Sequence, residues 1–315
     1  MKPAVPAAVG VPVESTREGL QSDRRFLGVS ADFGPFRDEL DLGTYIVMQE
    51  MAGQTDRQAV GIEGRYFVPG RTLLAMVDYD VHYQELNSAV VTGSLQLPAR
   101  WTVSFSADHR RSPVLTTRNA LIGQPVDGLD ELLGLFSPDE VEQLARDRTP
   151  LTDLFSLSVS RPLGERFQMS FDAYANRFGE TVASGNVAAT PASDLETTLQ
   201  LQLMANNLLQ ANDLWVLAGR YQDGSLVKIE SLALAARVPV GGAWRLGPRF
   251  RVDRRDSVVD ASDETLYVPT LRLDYERGRT WLECEAGTEL GQRKLGADDE
   301  NSRRYYFGLG YRLTF

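Results

Sequence analysis

Charged side chains recur at every second position near the C-terminus of this 315-residue chain. Between residues 243 and 255, Arg245, Arg249, Arg251, Asp253 and Arg255 alternate with Trp244, Leu246, Phe250 and Val252. The following segment carries Arg272, Asp274 and Glu276. The next sets Glu283, Glu285 and Glu289 against Leu282, Cys284, Ala286 and Leu290, and the last carries Arg304 and Arg312. A spacing of two places the charges on one face of a strand and the apolar residues on the other. If neighbouring strands pair in chain order, basic and acidic ladders stand side by side. Such a wall could select or guide a charged solute through a polar pore. The plainer use of the same ladders is cross-strand ion pairing along a wet wall.

A second cluster, Asp78, Asp80 and His82, shares one strand face, and Asp78 and Asp80 join the candidates for a pore lining. A carboxylate beside His82 could orient the imidazole for general-base chemistry. Asp108 and His109 are adjacent in sequence and so point to opposite faces. No Gly-x-Ser-x-Gly, phosphate-binding loop or His-Glu-x-x-His accompanies them, so no enzyme activity is expected and a barrel hydrolase is the least favoured reading. Two histidines and one cysteine, Cys284, leave no disulfide within the chain, and no metal centre or cofactor is expected. Cys284 reads as a small apolar residue. A formal net charge of -10 argues against a nucleic-acid partner.

The elements that position these groups are strands. Leu73, Ala75, Val77, Tyr79, Val81 and Tyr83 alternate with Met76, Asp78, Asp80 and His82, and Trp101, Val103, Phe105 and Ala107 with Thr102, Ser104, Ser106 and Asp108. The pattern recurs near 42–51, 58–68, 71–83, 86–97, 100–110, 152–161, 165–177, 194–206, 213–222, 226–238, 243–255, 264–276, 279–290 and 303–315, with a further segment at 26–33. No apolar run reaches the roughly 18 residues of a spanning helix. The predicted fold is all-β, a single antiparallel transmembrane β-barrel of 14–16 strands; single-chain bacterial barrels have even counts, so 26–33 either pairs with a weak strand further upstream or lies outside the wall, and 16 is preferred.

The closing strand supports this. Phe315, Leu313, Tyr311, Leu309, Phe307 and Tyr305 share one face, opposite Thr314, Arg312, Gly310, Gly308, Tyr306 and Arg304. A strand ending on Phe with this alternation resembles the last strand of Gram-negative outer-membrane β-barrels. The resemblance implies residence in the bacterial outer membrane among lipid and lipopolysaccharide. It also implies that Phe315, with Tyr311, is read as a signal by the barrel assembly machinery.

Short turns built on Pro or Gly, such as Val68-Pro69-Gly70-Arg71 and Val238-Pro239-Val240-Gly241-Gly242, fall mostly at one end of the strands. Long connections at 111–151, 178–193, 256–263 and 291–302 fall at the other. Trp101, Trp215, Trp244 and Trp281 all follow tight turns, as expected of a girdle at a lipid–water border. Residues 111–151 break the alternation. There Ser137 is a plausible N-cap, with Pro138, Asp139 and Glu140 in the first turn of a helix. This insert reads as an external lid or as a plug folded into the lumen.

Residues 1–25 read as a linker and 26–315 as the barrel. The start carries no secretory apolar region, so the expectation is a C-terminal part of a longer exported precursor. From about Asp56 to Phe315 the chain resembles the C-terminal domain of large proteobacterial tetratricopeptide-repeat proteins. The resemblance rests on Asp56-Arg57-Gln58-Ala59-Val60-Gly61, Asn119-Ala120-Leu121-Ile122-Gly123, Pro248-Arg249-Phe250-Arg251-Val252-Asp253 and Phe307-Gly308-Leu309-Gly310-Tyr311-Arg312. It implies periplasmic repeats or export proteins as partners, in an architecture similar to exopolysaccharide exporters. The expected function is a charged-lumen conduit of a secretion or polysaccharide-export system. A general solute porin and a non-conducting anchor for periplasmic repeats are the alternatives.

Overall fold

Two-residue periodicity becomes strand almost everywhere. The computed structural model describes residues 7–10, 13–15, 21–296 and 298–313, and its strands form one antiparallel sheet. The chain divides into two compact units, one of residues 1–96, 104–156 and 175–194, the other of residues 97–103, 157–174 and 195–315.

The first unit begins with two short strands, β1 (Ala7–Gly10) and β2 (Val13–Ser15). The ladder β3 (Gln21–Phe36), β4 (Leu40–Met51), β5 (Gln54–Val68), β6 (Arg71–Asp80) and β7 (Glu85–Leu97) follows, each strand antiparallel to the next. Strands β8 (Trp101–Arg111), β9 (Leu151–Leu163) and β10 (Phe167–Phe178) contribute residues to both units. The second unit continues through β11 (Glu196–Asn206), β12 (Leu214–Asp223), β13 (Val227–Gly241), β14 (Trp244–Ser257), β15 (Ser262–Arg277), β16 (Thr280–Leu295) and β17 (Asp298–Leu313). These too pair in chain order. Every strand expected from alternation is present.

Two expectations change. Residues 1–25 are not wholly linker. Gln21–Arg25 belong to β3, and β1 and β2 pair along it in one continuous register, Gly10 opposite Phe26 and Val13 opposite Asp23. Counted together for their shared register, β1 and β2 bring the fifteen long strands to sixteen among the described residues. The segments 256–263 and 291–302 are not long loops: β14 runs to Ser257, β15 starts at Ser262, β16 runs to Leu295, and β17 starts at Asp298. These ends carry Asp256, Asp263, Glu264, Arg293, Lys294, Asp298, Asp299 and Glu300. Both faces there are polar, so no alternation marks the strand.

The insert between β8 and β9 folds as a 3-10 turn (Thr117–Leu121), α1 (Leu129–Leu133) and α2 (Pro138–Asp147). At the start of α2 the Ser137 backbone N–H and hydroxyl both donate to the Glu140 carboxylate at 2.8 Å. Those two bonds hold the Glu140 carboxyl below its ordinary range. Their contribution is present above the ordinary Glu pKa and is lost as pH falls through the lowered one. Ser137→Ala should therefore speed amide exchange in 138–147 by roughly fivefold at neutral pH, and the difference from wild type should shrink in acid. Equal exchange at neutral pH would show that the box contributes nothing.

Candidate functional site

Burial in this sheet is reversed relative to a water-soluble protein. Large apolar side chains lie open on one face, Leu271 at 50% and Leu309 at 77% exposure, while Asp253 and Asp274 are 4% and 3% exposed on the other. The apolar residues form a band. On β14 it runs Trp244, Leu246, Pro248, Phe250, Val252; on β15, Tyr275, Leu273, Leu271, Pro269, Tyr267; on β17, Tyr311, Leu309, Phe307, Tyr305. The stretch Trp244–Val252 is nine residues. Crossing a hydrocarbon core takes about 9–11 tilted strand residues. Aromatic residues border the band at both ends, with Trp244, Tyr275 and Tyr311 at one and Tyr267 and Tyr305 at the other. An antiparallel all-β sheet, apolar on one face, charged on the other and belted twice with aromatics, has the architecture of an outer-membrane β-barrel. Beyond Tyr267 and Tyr305 both faces turn polar, and β15–β17 continue past the band.

The tryptophans divide. Trp101, Trp215 and Trp244 share the apolar face, Trp101 with the Arg161 guanidinium 5.1 Å from its ring centroid. Trp215 donates its indole N–H to Asp213 at 3.2 Å. Asp213 closes the turn before β12. Desolvation pushes its carboxyl up, but backbone N–H bonds from Gln210, Leu209 and Leu208 outweigh this and hold it low. Trp281 is not part of the girdle. It has the parity of Glu283 and Glu285, and it lies between Arg272 and Arg312, 6.0 and 5.6 Å from its ring centroid. Following a tight turn fixes the end of the strand at which a residue sits, but not its face. Tyr311 is on the apolar face, and Phe315 lies outside the described residues.

The polar face of β13–β17 brings the predicted charges together largely as pairs. Arg245 reaches Glu276 at 2.6 Å, Arg251 reaches Asp253 at 3.0 Å, and Arg272 spans Asp274 at 2.8 Å and Glu283 at 3.0 Å. Arg304 and Glu289 are 3.9 Å apart. Arg249 and Glu285 form no ion pair within 4 Å among the described residues. Both line a cavity of about 310 Å³ in this wall, with Arg237, Arg272 and Asp274. The hollow exists because register stacks small residues: Ala235 faces Val216 and Arg249, and Gly247 faces Arg272. Arg237, Gly247 and Ala235 carry no such signal in the sequence, since the hollow arises from five strands together.

Asp78 and Asp80 are not open pore charges. Arg57 Nη2 donates to both Asp78 oxygens at 2.7 Å, and the Tyr45 hydroxyl donates to the same carboxylate. The row Tyr45–Gly61–Asp78 crosses three strands, and a Cβ on Gly61 would fall 2.1 Å from the Tyr45 ring. Tyr306 lies across Gly287 in the same way to reach Thr270 at 2.6 Å. Asp80 is fully buried and accepts the Tyr83 backbone N–H at 2.9 Å. The His82 ring sits 3.1 Å from Glu142, and its backbone N–H donates to Asp80. His109 Nδ1 lies 2.6 Å from Asp153, which Arg177 also binds at 2.7 Å. Neither histidine shares a cluster with Asp78.

The insert packs on the ends of these strands. Leu115, Ala120, Leu129, Leu132, Val141 and Ala145 form a core with Met51 and Tyr83, which flank the β4–β5 and β6–β7 turns. The Tyr83 hydroxyl meets Thr117 at 2.7 Å, and burial raises its pKa. Asp56 accepts the Arg118 N–H at 2.9 Å, Arg146 reaches Glu85 at 3.2 Å, and Arg111 pairs with Glu85. The 179–195 connection docks on the insert, with the Asn186 N–H on Gly123 at 2.7 Å and Arg148 on the Val182 carbonyl at 2.7 Å. These contacts lie at strand ends.

No family model and no curated protein matches the chain. Solved structures do. A bacterial polysaccharide outer membrane secretin matches at 10% identity with a TM-score of 0.37, covering 99% of this chain and 97% of that one. Outer-membrane expressed OmpT of Vibrio cholerae matches at 14% and 0.43, covering 92% and 89%. The anion-selective porin from Comamonas acidovorans matches at 13% and 0.42, covering 95% and 91%. Membrane residence follows from the face pattern rather than from these similarities.

Proposed function

We propose that the chain is a conduit of the bacterial outer membrane with a charged lumen, lidded at one end by residues 111–151, within a secretion or polysaccharide-export system. Periplasmic repeats or export proteins would be its partners. The observation that carries the reading is the pairing of an apolar lipid-facing band with a polar wall that keeps Arg249 and Glu285 uncommitted beside a hollow. Arg249 is exposed on this wall and Glu285 half-buried, so both can meet a charged solute in the lumen. No nucleotide-binding loop supplies a driving force, so transport through it is passive.

Planar-bilayer recording tests this. The Ser112 N–H bonds the Pro150 carbonyl at 3.0 Å, so the two ends of the insert are adjacent and a short turn can replace 113–149. The intact chain should conduct poorly, and the excised one should conduct openly. Open conductance from the intact chain favours the general porin. Silence from both leaves the anchor for periplasmic repeats. Peptide or lipid cleavage abolished by His82→Ala would instead establish the hydrolase.

A further inference from the structure

The hollow in the polar wall of β12–β16 has a composition that a mere gap would not need. Its apolar lining comes from Leu214, Val216 and Ala235. Around it stand three guanidinium groups, Arg237, Arg249 and Arg272, and two carboxylates, Asp274 and Glu285. Arg272 is committed to Asp274 and Glu283, and Arg237 approaches Asp274 only at 4.0 Å. Arg249, an exposed planar cation, and Glu285, an acceptor near Arg272, form no ion pair among the described residues, and both line a space of about 310 Å³.

We propose that this hollow binds a sugar unit bearing a carboxylate, as a station for an acidic saccharide passing along the wall. This deepens the conduit reading and rests on it. Each part of the ligand has a matching feature. A guanidinium without a protein partner presents a fork that a ligand carboxylate fits with two parallel bonds. Glu285 accepts hydrogen bonds and donates none, so it suits sugar hydroxyls. The aliphatic lining takes the apolar face of a ring, and the volume lies at the small end of ligand sites, about 300–1,000 Å³. A phosphate would use the same fork but leave the apolar lining and Glu285 unused. Small wall residues, Gly247 and Ala235, keep the space open.

The test is calorimetric titration of the full chain in detergent with oligogalacturonate, a neutral glucose oligomer of equal length, and inorganic phosphate. Oligogalacturonate should bind at least about tenfold more tightly than either of the others, and Arg249→Ala should remove about tenfold or more of that affinity. Gly247→Leu, which fills the hollow without changing charge, should do the same. Arg254→Ala, on the opposite face, should leave binding intact. Equal affinity for charged and neutral sugars, tighter binding of phosphate, or indifference to both Arg249→Ala and Gly247→Leu overturns the proposal. Heat-modifiable mobility on gels shows that each variant is folded. A chain that conducts but binds no uronate defeats this inference alone. One that binds uronate but conducts in neither form defeats the conduit alone.

Discussion

Asp78→Ala is expected to destabilise the folded chain by about 3–5 kcal/mol, the usual consequence of stranding one member of a buried ion pair. The side chains of Arg57 and Asp78 are 18% and 5% exposed. Removing the carboxylate leaves the guanidinium without either of its two bonds and the Tyr45 hydroxyl without an acceptor. Tyr45→Phe, which removes only one neutral donor, should cost about 0.5–1.5 kcal/mol. Gly61→Ala should approach the aspartate variant, because the added methyl would meet the Tyr45 ring and dislodge it. Urea titrations of refolding into phosphatidylcholine vesicles give all three values. If Asp78→Ala proves no worse than Tyr45→Phe, the pair is solvated and Asp78 returns to the set of open lumen charges.

Leu271→Arg carries the second large effect, and it addresses the bilayer directly. Leu271 lies midway along the band of β15, between Tyr267 and Tyr275. An arginine on a lipid-facing strand costs about 2–4 kcal/mol at the bilayer midplane and about 0–1 near the border. Leu271→Arg should therefore show the larger loss in the same titrations, and Thr265→Arg, beyond the tyrosine border on the same face, should show little. The graded loss is specific to lipid: in water both substitutions sit on an exposed face, and surface changes are normally within about 0.5 kcal/mol. Equal small losses at both positions, or a chain that folds fully without lipid or detergent, would remove the membrane from the account.

Both substitutions touch residues whose strands are plain in the sequence. Val77, Asp78, Tyr79 and Asp80 alternate clearly, and so do Leu271, Arg272, Leu273 and Asp274. Alternation is a local property with a period fixed by the pleat, so it survives in one chain read alone. It disappears where both faces are wet, which is why 256–263 and 291–302 read as loops. The capping sequence at Ser137–Glu140 is equally local, and the short helix it begins is where the sequence places it.

The sequence alone determined the strands, their polarity, the face on which each charge lies and the helical start in the insert, because each depends on neighbours within a few residues. It could not say which charges are spent. Asp78 and Glu285 look alike in the sequence. Register sets Asp78 in line with Gly61 and Tyr45 and within reach of Arg57, while it sets Glu285 beside a hollow made by residues of four other strands. Only the tertiary structure decided that difference, and also the departure of Trp281 from its girdle and the seat of the insert on Met51 and Tyr83. Whether a buried charge is satisfied depends on groups far apart in the chain, and strand pairing alone brings them together.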